Sequence, residues 1–228
     1  MKIRTTITIV VALALASLVQ AQAQNLLLNN SFEQPGTGKI SSGFGGGLIP
    51  DWTGNAATDT GVEYPQIAAQ DGSMSAYFMM ADGYAQQTTS HQIQSGDSFN
   101  ISFYTLNNWT TEGSYYPNSE GQMTVSLYYG SLANTIGTYT FDAGLGAGGS
   151  ATWLNQSLTV PSSSLPVGAI GQDIGIEILN TSDALGATHS WIDVDSVNLS
   201  VVPVPEPGTI ALVSLGGLAL VAFRRRNA

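Results

Sequence analysis

The middle of the chain alternates apolar and polar residues with a period of two, and this pattern limits what the chain can fold into. The apolar positions of the four clearest runs are Phe99, Ile101 and Phe103; Val125, Leu127 and Tyr129; Ile174, Ile176 and Ile178; and Val197, Leu199 and Val201. Successive side chains of a β-strand point to opposite faces, so each run predicts a half-buried strand. The sequence therefore predicts an all-β fold.

Turn-rich stretches separate these runs. They lie at residues 35–47, 71–73, 95–97 and 142–150, where Gly, Asp, Ser and Pro favour reversals of the backbone. A fifth run, with Leu154, Leu158 and Val160, keeps the same parity. Residues 24–202 are enough for a single core. The spacing predicts eight to ten short strands, each with one apolar and one polar face, and so an antiparallel β-sandwich of two sheets, as in a jelly roll.

The charges are distributed unevenly along the chain. Between Gln24 and Val202 the only base is Lys39, set against 15 of the 16 acids, which gives this part a net charge of −14. Such a surface repels phosphate backbones, so nucleic-acid binding is excluded. The chain has no cysteine, which excludes disulfide scaffolds, thiol nucleophiles and cysteine-ligated zinc.

Residues 1–23 have the three features of a secretory signal peptide. Lys2 and Arg4 form a charged start, residues 7–19 are an apolar run, and Ala21-Gln22-Ala23 is a small-x-small cleavage site. A first core helix or a membrane span is the alternative, although the run is short for a span of about 20 residues. The sequence predicts a mature chain that starts at or near Gln24.

The C-terminal residues 203–228 have three parts: Pro205-Glu206-Pro207, 16 uncharged residues (208–223), and Arg224-Arg225-Arg226. As a helix, the uncharged part would be about 24 Å long, close to the hydrocarbon thickness of a bilayer. The arginines are expected on the cytoplasmic side. The prolines cannot continue a helix and mark where it starts.

These three parts resemble the PEP-CTERM sorting signal of Gram-negative bacteria. The resemblance implies processing near Pro205-Glu206-Pro207 by an exosortase, an inner-membrane intermediate, and final delivery to the cell surface or the extracellular matrix of a bacterium that makes exopolysaccharide and biofilm. A plain single-pass anchor is the alternative, and it predicts the same orientation without processing.

Four short motifs within residues 24–202 form a second resemblance. They are L-x-N-x-S-F-E at 27–33, P-x-W at 50–52, D-G-S at 71–73 and D-x-V-x-L at 195–199. In this order they look like the galactose-binding-like jelly roll, a fold shared by many carbohydrate-binding modules. The resemblance implies a structural calcium ion that ties the first strand to the last, held by Glu33 and Asp195, with Asp193 as the substitute for Asp195. Ordinary exposed acids are the alternative for all three.

No motif of a known catalytic site is present. His91 and His189 have no metal-ligand spacing around them and are interpreted as solvated residues, and there is no G-x-S-x-G elbow or P-loop lysine. Glycoside hydrolysis needs only two carboxylates from anywhere in the chain. The candidate acids, none singled out by its spacing, are Glu33, Glu63, Glu112, Glu120 and Glu177.

Sugar binding usually needs an aromatic face with amides and acids beside it. The segment that contains Asn108, Trp109, Tyr115 and Tyr116 offers this combination after a strong strand, so these residues are the predicted ligand site. The alternative for Trp109 is a half-buried loop anchor. The other tryptophans, at 52, 153 and 191, are expected to pack in the core or at its edge.

The sequence thus predicts an exported, non-catalytic protein that binds or organises carbohydrate. Two alternatives stay open: a structural surface or matrix protein without a sugar ligand, and a glycoside hydrolase.

Overall fold

The computed structural model describes residues 24–34, 40–41, 49–54, 60–64, 68–79, 82–107, 120–145, 152–182 and 191–202. A compact unit spans Asn25–Val202. Its eleven described strands are β1 (Ile40–Ser41), β2 (Thr53–Gly54), β3 (Thr60–Glu63), β4 (Ser75–Phe78), β5 (Tyr84–Gln92), β6 (Ser98–Asn107), β7 (Glu120–Tyr129), β8 (Ser131–Leu145), β9 (Leu154–Val160), β10 (Asp173–Asn180) and β11 (Ile192–Val202). The helices of the described residues are two 3₁₀ turns, Ser162–Ser164 and Val167–Ala169.

The strands form two antiparallel sheets. A six-stranded sheet has the order β1-β3-β4-β11-β6-β9, and a five-stranded sheet has the order β2-β5-β10-β7-β8. From β4 onward the chain changes sheet at nearly every connection. Among the described strands, two consecutive pairs are also neighbours in space, β3 with β4 and β7 with β8. This is the antiparallel jelly-roll sandwich that the alternating runs predict, so the predicted fold class is confirmed.

The core lies between the inner faces of the two sheets. The alternating residues predicted to face inward on β6 and β10 are 0–1% exposed, and Val125, Leu127, Val197 and Leu199 are also fully buried. Full burial of each such side chain contributes about 1.5–3 kcal/mol. The period of two is therefore the sequence signal that fixes which face of each sheet is apolar.

Strand β11 contains a β-bulge that the alternation does not reveal. Opposite β6, Asp195 pairs with Tyr104 but Asn198 pairs with Ser102, so β11 has one extra residue. Ser196 in the bulge has a left-handed φ of 52°. Because of this extra residue, Val194 and Val197 both pack in the core, although they are three residues apart.

The strand count and two details of the predicted strands differ from the structure. Eleven strands are described where eight to ten were expected. Residues 142–150 were expected to be turn-rich, yet β8 continues to Leu145 because it pairs with β7 as far as Glu120. Leu154, expected to face inward, is 36% exposed, since it is the first residue of the edge strand β9. Among the described residues, no helix is long and apolar enough to cross a membrane. The segments predicted as signal helix and membrane helix, residues 1–23 and 208–223, lie outside them.

Candidate functional site

The motifs at residues 27–33 and 50–52 are joined by hydrogen bonds and by ring packing. The Asn29 side-chain amide donates to the Pro50 carbonyl (2.9 Å), and the Trp52 indole N–H donates to the Asn29 carbonyl (3.4 Å). The rings of Phe32 and Trp52 pack with their centroids 5.6 Å apart, and both side chains belong to the core. Trp52 is thus a core residue, as predicted.

Glu33 binds the backbone of the D-G-S loop. The backbone N–H groups of Ser73 and Met74 both donate to Glu33 Oε1, at 2.8 Å each. Gly72, between these donors and Asp71, has a φ of +69°, and a Cβ at this position would overlap the Glu33 carboxylate. Glycine is required here for both reasons.

Asp195 binds the same loop from the last strand. The Asp71 N–H donates to Asp195 Oδ2 (2.9 Å) and the Ser196 N–H to Asp195 Oδ1 (2.6 Å). Asp195 is 0% exposed. Burial raises the pKa of this carboxyl to about 7, although the hydrogen bonds from the backbone of Asp71, Ser196 and Gln70 act in the opposite direction. The structure thus brings Glu33 and Asp195 to one loop, residues 70–74.

The acids around this loop have the chemistry that calcium prefers, since hard cations bind carboxylate and carbonyl oxygens. Asp193 is 0% exposed and lies opposite Tyr77 and Leu106 in the six-stranded sheet. Within the described part of the chain, no group of three or more Asp, Glu or His side chains could hold a metal ion. A calcium ion between Glu33 and Asp195 would therefore take further ligands from backbone carbonyls.

The outer face of the five-stranded sheet has a different character. One residue from each strand lies in register with the next across this sheet; in the order β2, β5, β10, β7 and β8 they are residues 53, 86, 177, 126 and 138. We call Thr53, Gln86, Glu177, Ser126 and Thr138 the polar row. Their strand neighbours Ala85, Ile176, Ile178, Val125 and Leu127 belong to the core, so the polar row lies on the opposite face of the sheet.

The polar row is partly buried. Ser126 is 9% exposed, and its hydroxyl lies 3.2 Å from the Thr138 hydroxyl. Burial raises the pKa of the Glu177 carboxyl. Gln86 Oε1 is buried without a hydrogen-bond partner in the described structure. Gln86 and Glu177 are partly buried, whereas Thr53 and Thr138 at the two ends of the row are exposed.

Tyr128 lies beside the polar row. The phenol oxygen is 2.9 Å from the Thr88 hydroxyl, and the ring covers Gly175, where a Cβ would overlap it. Gly175 pairs with both Thr88 and Tyr128, so the ring crosses β10 to reach β5. Burial raises the pKa of the Tyr128 phenol, the Thr88 hydrogen bond lowers it, and the nearby Glu177 raises it.

The predicted ligand residues Asn108, Trp109, Tyr115 and Tyr116 lie outside the described residues. Their segment connects the end of β6 at Asn107, in one sheet, with the start of β7 at Glu120, in the other. The polar row was not predicted as a site. Its sequence signals were the charged Glu177 amid the isoleucines of β10, and β5, a strand whose described apolar residues are Tyr84 and Ala85.

His91 was expected to be a solvated residue, and it is instead held near the end of β5, at the connection that leads to β6. Its Nε2 lies 2.9 Å from Asp97 Oδ2, and its ring packs edge-on against Phe99 with centroids 6.0 Å apart. Trp191 is buried and donates to Glu63 Oε1 (2.8 Å), while the partly exposed Trp153 donates to the Ala68 carbonyl (2.9 Å). These contacts agree with the expected packing roles of both tryptophans. His189 lies outside the described residues.

Comparison with protein families identifies the C-terminal segment. Residues 203–226 match the family described as the PEP-CTERM protein-sorting motif. The chain carries a PEP-CTERM sorting motif. This match contains all the residues predicted for sorting, Pro205, Glu206, Pro207, Arg224, Arg225 and Arg226, which lie outside the described residues. No curated protein is significantly similar in sequence to this PEP-CTERM chain.

Solved structures share the fold of the domain. A cyclase from Fischerella sp. TAU is 16% identical, with a TM-score of 0.57 over 81% of this chain and 100% of its own. An arabinose-bound MgGH51 α-L-arabinofuranosidase is 15% identical, with a TM-score of 0.52 over 81% of this chain and 27% of its own. A putative sugar-binding protein from Bacteroides thetaiotaomicron is 13% identical, with a TM-score of 0.48 over 78% of this chain and 99% of its own. At these identities the first two establish the fold alone.

Proposed function

We propose that the PEP-CTERM chain is an exported, non-catalytic protein that binds polysaccharide on the outer face of its five-stranded sheet. The observation that carries the proposal is the polar row, with one hydrogen-bonding side chain from each strand. Tyr128 beside it is 3% exposed and supports the row through its hydrogen bond to Thr88. Sugar sites fix a ligand with a small number of hydrogen-bonding side chains held in defined positions. An extended chain of sugars suits a row that crosses five strands, because neighbouring strands are about 4.8 Å apart and the row is about 19 Å long.

A binding role agrees better with this face than hydrolysis does. Glycosidases place two carboxyl groups about 5–9.5 Å apart. Glu177 is the acid at the centre of the described face. Asp142 lies two strands away from Glu177 and four residues along the sheet in register, which separates their Cα atoms by about 17 Å. Asp173 lies on β10 itself, with its Cα about 13 Å from that of Glu177. The direct cross-strand neighbours of Glu177 are Gln86 and Ser126, so no second acid lies beside it in register.

The tail determines where this binding would occur. We propose that an exosortase-type enzyme processes the chain near Pro205-Glu206-Pro207, after an inner-membrane intermediate that the signal peptide and residues 208–223 create. The protein then acts at the surface, or in the exopolysaccharide matrix, of a Gram-negative bacterium. Its partners would be that enzyme and the matrix polysaccharide.

A structural calcium ion is the cofactor proposed for the domain. Glu33 and Asp195 would hold it next to loop 70–74. The ion would offset the cost of burying the Asp195 carboxylate and part of the repulsion in a domain with a net charge of −14. Its role would be to fix the loop to the first and last strands, away from the polar row.

Affinity gels that contain soluble polysaccharides test the binding proposal. We expect the full chain to be retarded by at least one polymer and the free sugar to compete. Gln86→Ala should weaken binding about tenfold or more, because it removes hydrogen bonds that a sugar hydroxyl would make in a partly buried site. Thr159→Ala is the matched control, since Thr159 is an exposed outward residue of the other sheet and its loss should leave affinity unchanged.

The same gels separate the polar row from the surface predicted at Trp109. If Trp109→Ala abolishes binding and Gln86→Ala does not, the ligand binds on the segment between β6 and β7. A folded chain that no polysaccharide retards would contradict carbohydrate binding and favour the alternative, a structural matrix protein.

A further inference from the structure

The described part of the domain has no Lys or Arg side chain with which to recognise an anion. Arg, Lys and protonated His supply the strong hydrogen bonds to carboxylate, sulfate and phosphate. No Lys or Arg occurs among the described residues, and Lys39 is the only base between Gln24 and Val202. The described histidine, His91, already pairs with Asp97. The described helices are single 3₁₀ turns, too short to offer an N-terminal anion site.

The polar row contains one acid and no base. Glu177 at its centre is an acid, and Gln86 directly opposite in β5 has a buried Oε1 without a hydrogen-bond partner in the described structure. Ionised carboxylates and amide oxygens accept hydrogen bonds and cannot donate them. A neutral sugar satisfies such acceptors with its hydroxyl groups. The carboxylate of a uronic acid can accept from the Gln86 amide and the hydroxyls of the row, but it would bring a second negative charge to Glu177, and the described residues include no Lys or Arg to offset it.

We propose that the polar row binds uncharged polysaccharide and rejects polymers that carry uronate, sulfate or phosphate groups. The inference rests on the proposed function and names its ligand class. It means that an acidic exopolysaccharide would be excluded from this face, and that the protein would associate with the neutral components of a matrix.

Matched polymers that differ only in charge test the inference. Neutral glucan and mannan would be compared with the same polymers oxidised at C6 to uronates, and polygalacturonate with its carboxyl-reduced form. We expect the full chain to bind at least one neutral member, and its charged counterpart about tenfold more weakly or not at all, because like charges at a binding site are strongly unfavourable.

Two variants locate the cause of the discrimination. Glu177→Gln keeps the shape and the acceptor oxygen but removes the charge, so it should reduce the preference for the neutral member of a pair severalfold. Asp142→Asn changes the net charge equally but about 17 Å away in register, and should alter the preference little. Added salt screens the general repulsion by the domain, so a preference that survives at high salt comes from contact at Glu177.

The outcomes separate this inference from the proposed function. Equal or tighter binding of the charged members would overturn the neutral-ligand inference and leave carbohydrate binding in place. Binding of neither member of any pair, by a chain whose fold is verified by circular dichroism, would overturn the proposed function itself. Equal loss of preference in Glu177→Gln and Asp142→Asn would show that overall charge, not the polar row, selects the ligand.

Discussion

Glu33 and Asp195 illustrate how acidic residues can serve a fold without a base to pair with. Each carboxylate accepts backbone N–H groups of loop 70–74, one from the start of the domain and one from its last strand. Because the first motif and the last strand both bond the same loop, the two acids close the jelly roll where its ends meet. The short motifs 27–33, 71–73 and 195–199 are therefore explained by contacts within the fold.

Gly72→Ala should destabilise the domain by about 2–3 kcal/mol, since it combines an unfavourable φ with the displacement of the Glu33 carboxylate from two N–H donors. Gly171→Ala is the matched control: its φ is +81° but nothing lies within 4 Å of a Cβ there, so only the conformational cost of about 1 kcal/mol remains. Urea unfolding measures both. Equal losses of stability would show that the Glu33 contact contributes nothing.

Asp195 should make stability depend on pH. Burial raises its pKa from 3.8 to about 7, so the folded state holds this proton more tightly than the unfolded state does. Its contribution to stability is therefore complete below about pH 4 and is lost as the pH rises through 7. At about 1.4 kcal/mol per pKa unit, the loss amounts to a few kcal/mol. With a chelator present, the Tm of Asp195→Asn should fall less between pH 4 and pH 8 than the Tm of the unmodified chain does. If both Tm values change with pH in the same way, Asp195 is not the group responsible.

Calcium would reverse this loss at the same residue. Above pH 7 the ionised Asp195 would have a cation beside it, so calcium should raise the Tm and EDTA should lower it, while Asp195→Asn should respond to neither. Magnesium is the control, because it demands a stricter octahedral geometry. An unchanged melt in excess EDTA would remove calcium from the proposed cofactors.

At the scale of elements, the strands that alternate regularly are the ones the sequence predicts. β6, β7, β10 and the second half of β11 bury most of the apolar residues expected to face inward, while Tyr129 and Val201 are partly buried against the core. The sequence does not predict β5, because this strand packs against the core largely through Ala85, Gln87 and Thr89 and so shows no alternation of apolar residues. Thr89 is buried by bonding to the Ile174 carbonyl, which is a long-range contact. The polar row could not be predicted either, because it depends on the register between strands, and the spacing of residues within one strand does not show that register.

The packing of β7 across β10 gives a test at the same scale. Gly175→Ala should push the Tyr128 ring away and break its hydrogen bond to Thr88, at a cost of about 1–3 kcal/mol, and should weaken polysaccharide binding because the ring lies beside the polar row. Tyr128→Phe removes the hydrogen bond and keeps the ring, so it should cost about 1 kcal/mol and affect binding less. Urea unfolding and affinity gels measure the two effects. A variant Gly175→Ala as stable as the unmodified chain would show that the ring adapts freely.

The whole molecule combines an acidic sandwich with two basic ends. Lys2 and Arg4 begin the chain, Arg224, Arg225 and Arg226 lie near its end, and Lys39 is the sole base between residues 24 and 202. Bases at the ends suit passage across a membrane that keeps them on the cytoplasmic side, whereas the acidic domain is suited to remain soluble and apart from polyanions outside the cell. The proposed export and the proposed choice of a neutral ligand thus follow from one distribution of charge.

Processing of the tail is the prediction that belongs to the whole chain. In a host with the sorting enzyme, the exported protein should lack the residues that follow the cleavage point, and its intact mass should fall by about the mass of the apolar and arginine parts. Replacing Pro205-Glu206-Pro207 by three alanines should leave the full tail in place and keep the protein in the membrane fraction, because the apolar stretch 208–223 still anchors it. Arg225→Lys is the control, since it preserves the charge that sets orientation and should be processed normally. If the alanine variant is released with the same mass as the unmodified protein, the sorting enzyme does not recognise the prolines and the glutamate. If the unmodified protein and the alanine variant both keep the full tail, the segment is a plain membrane anchor.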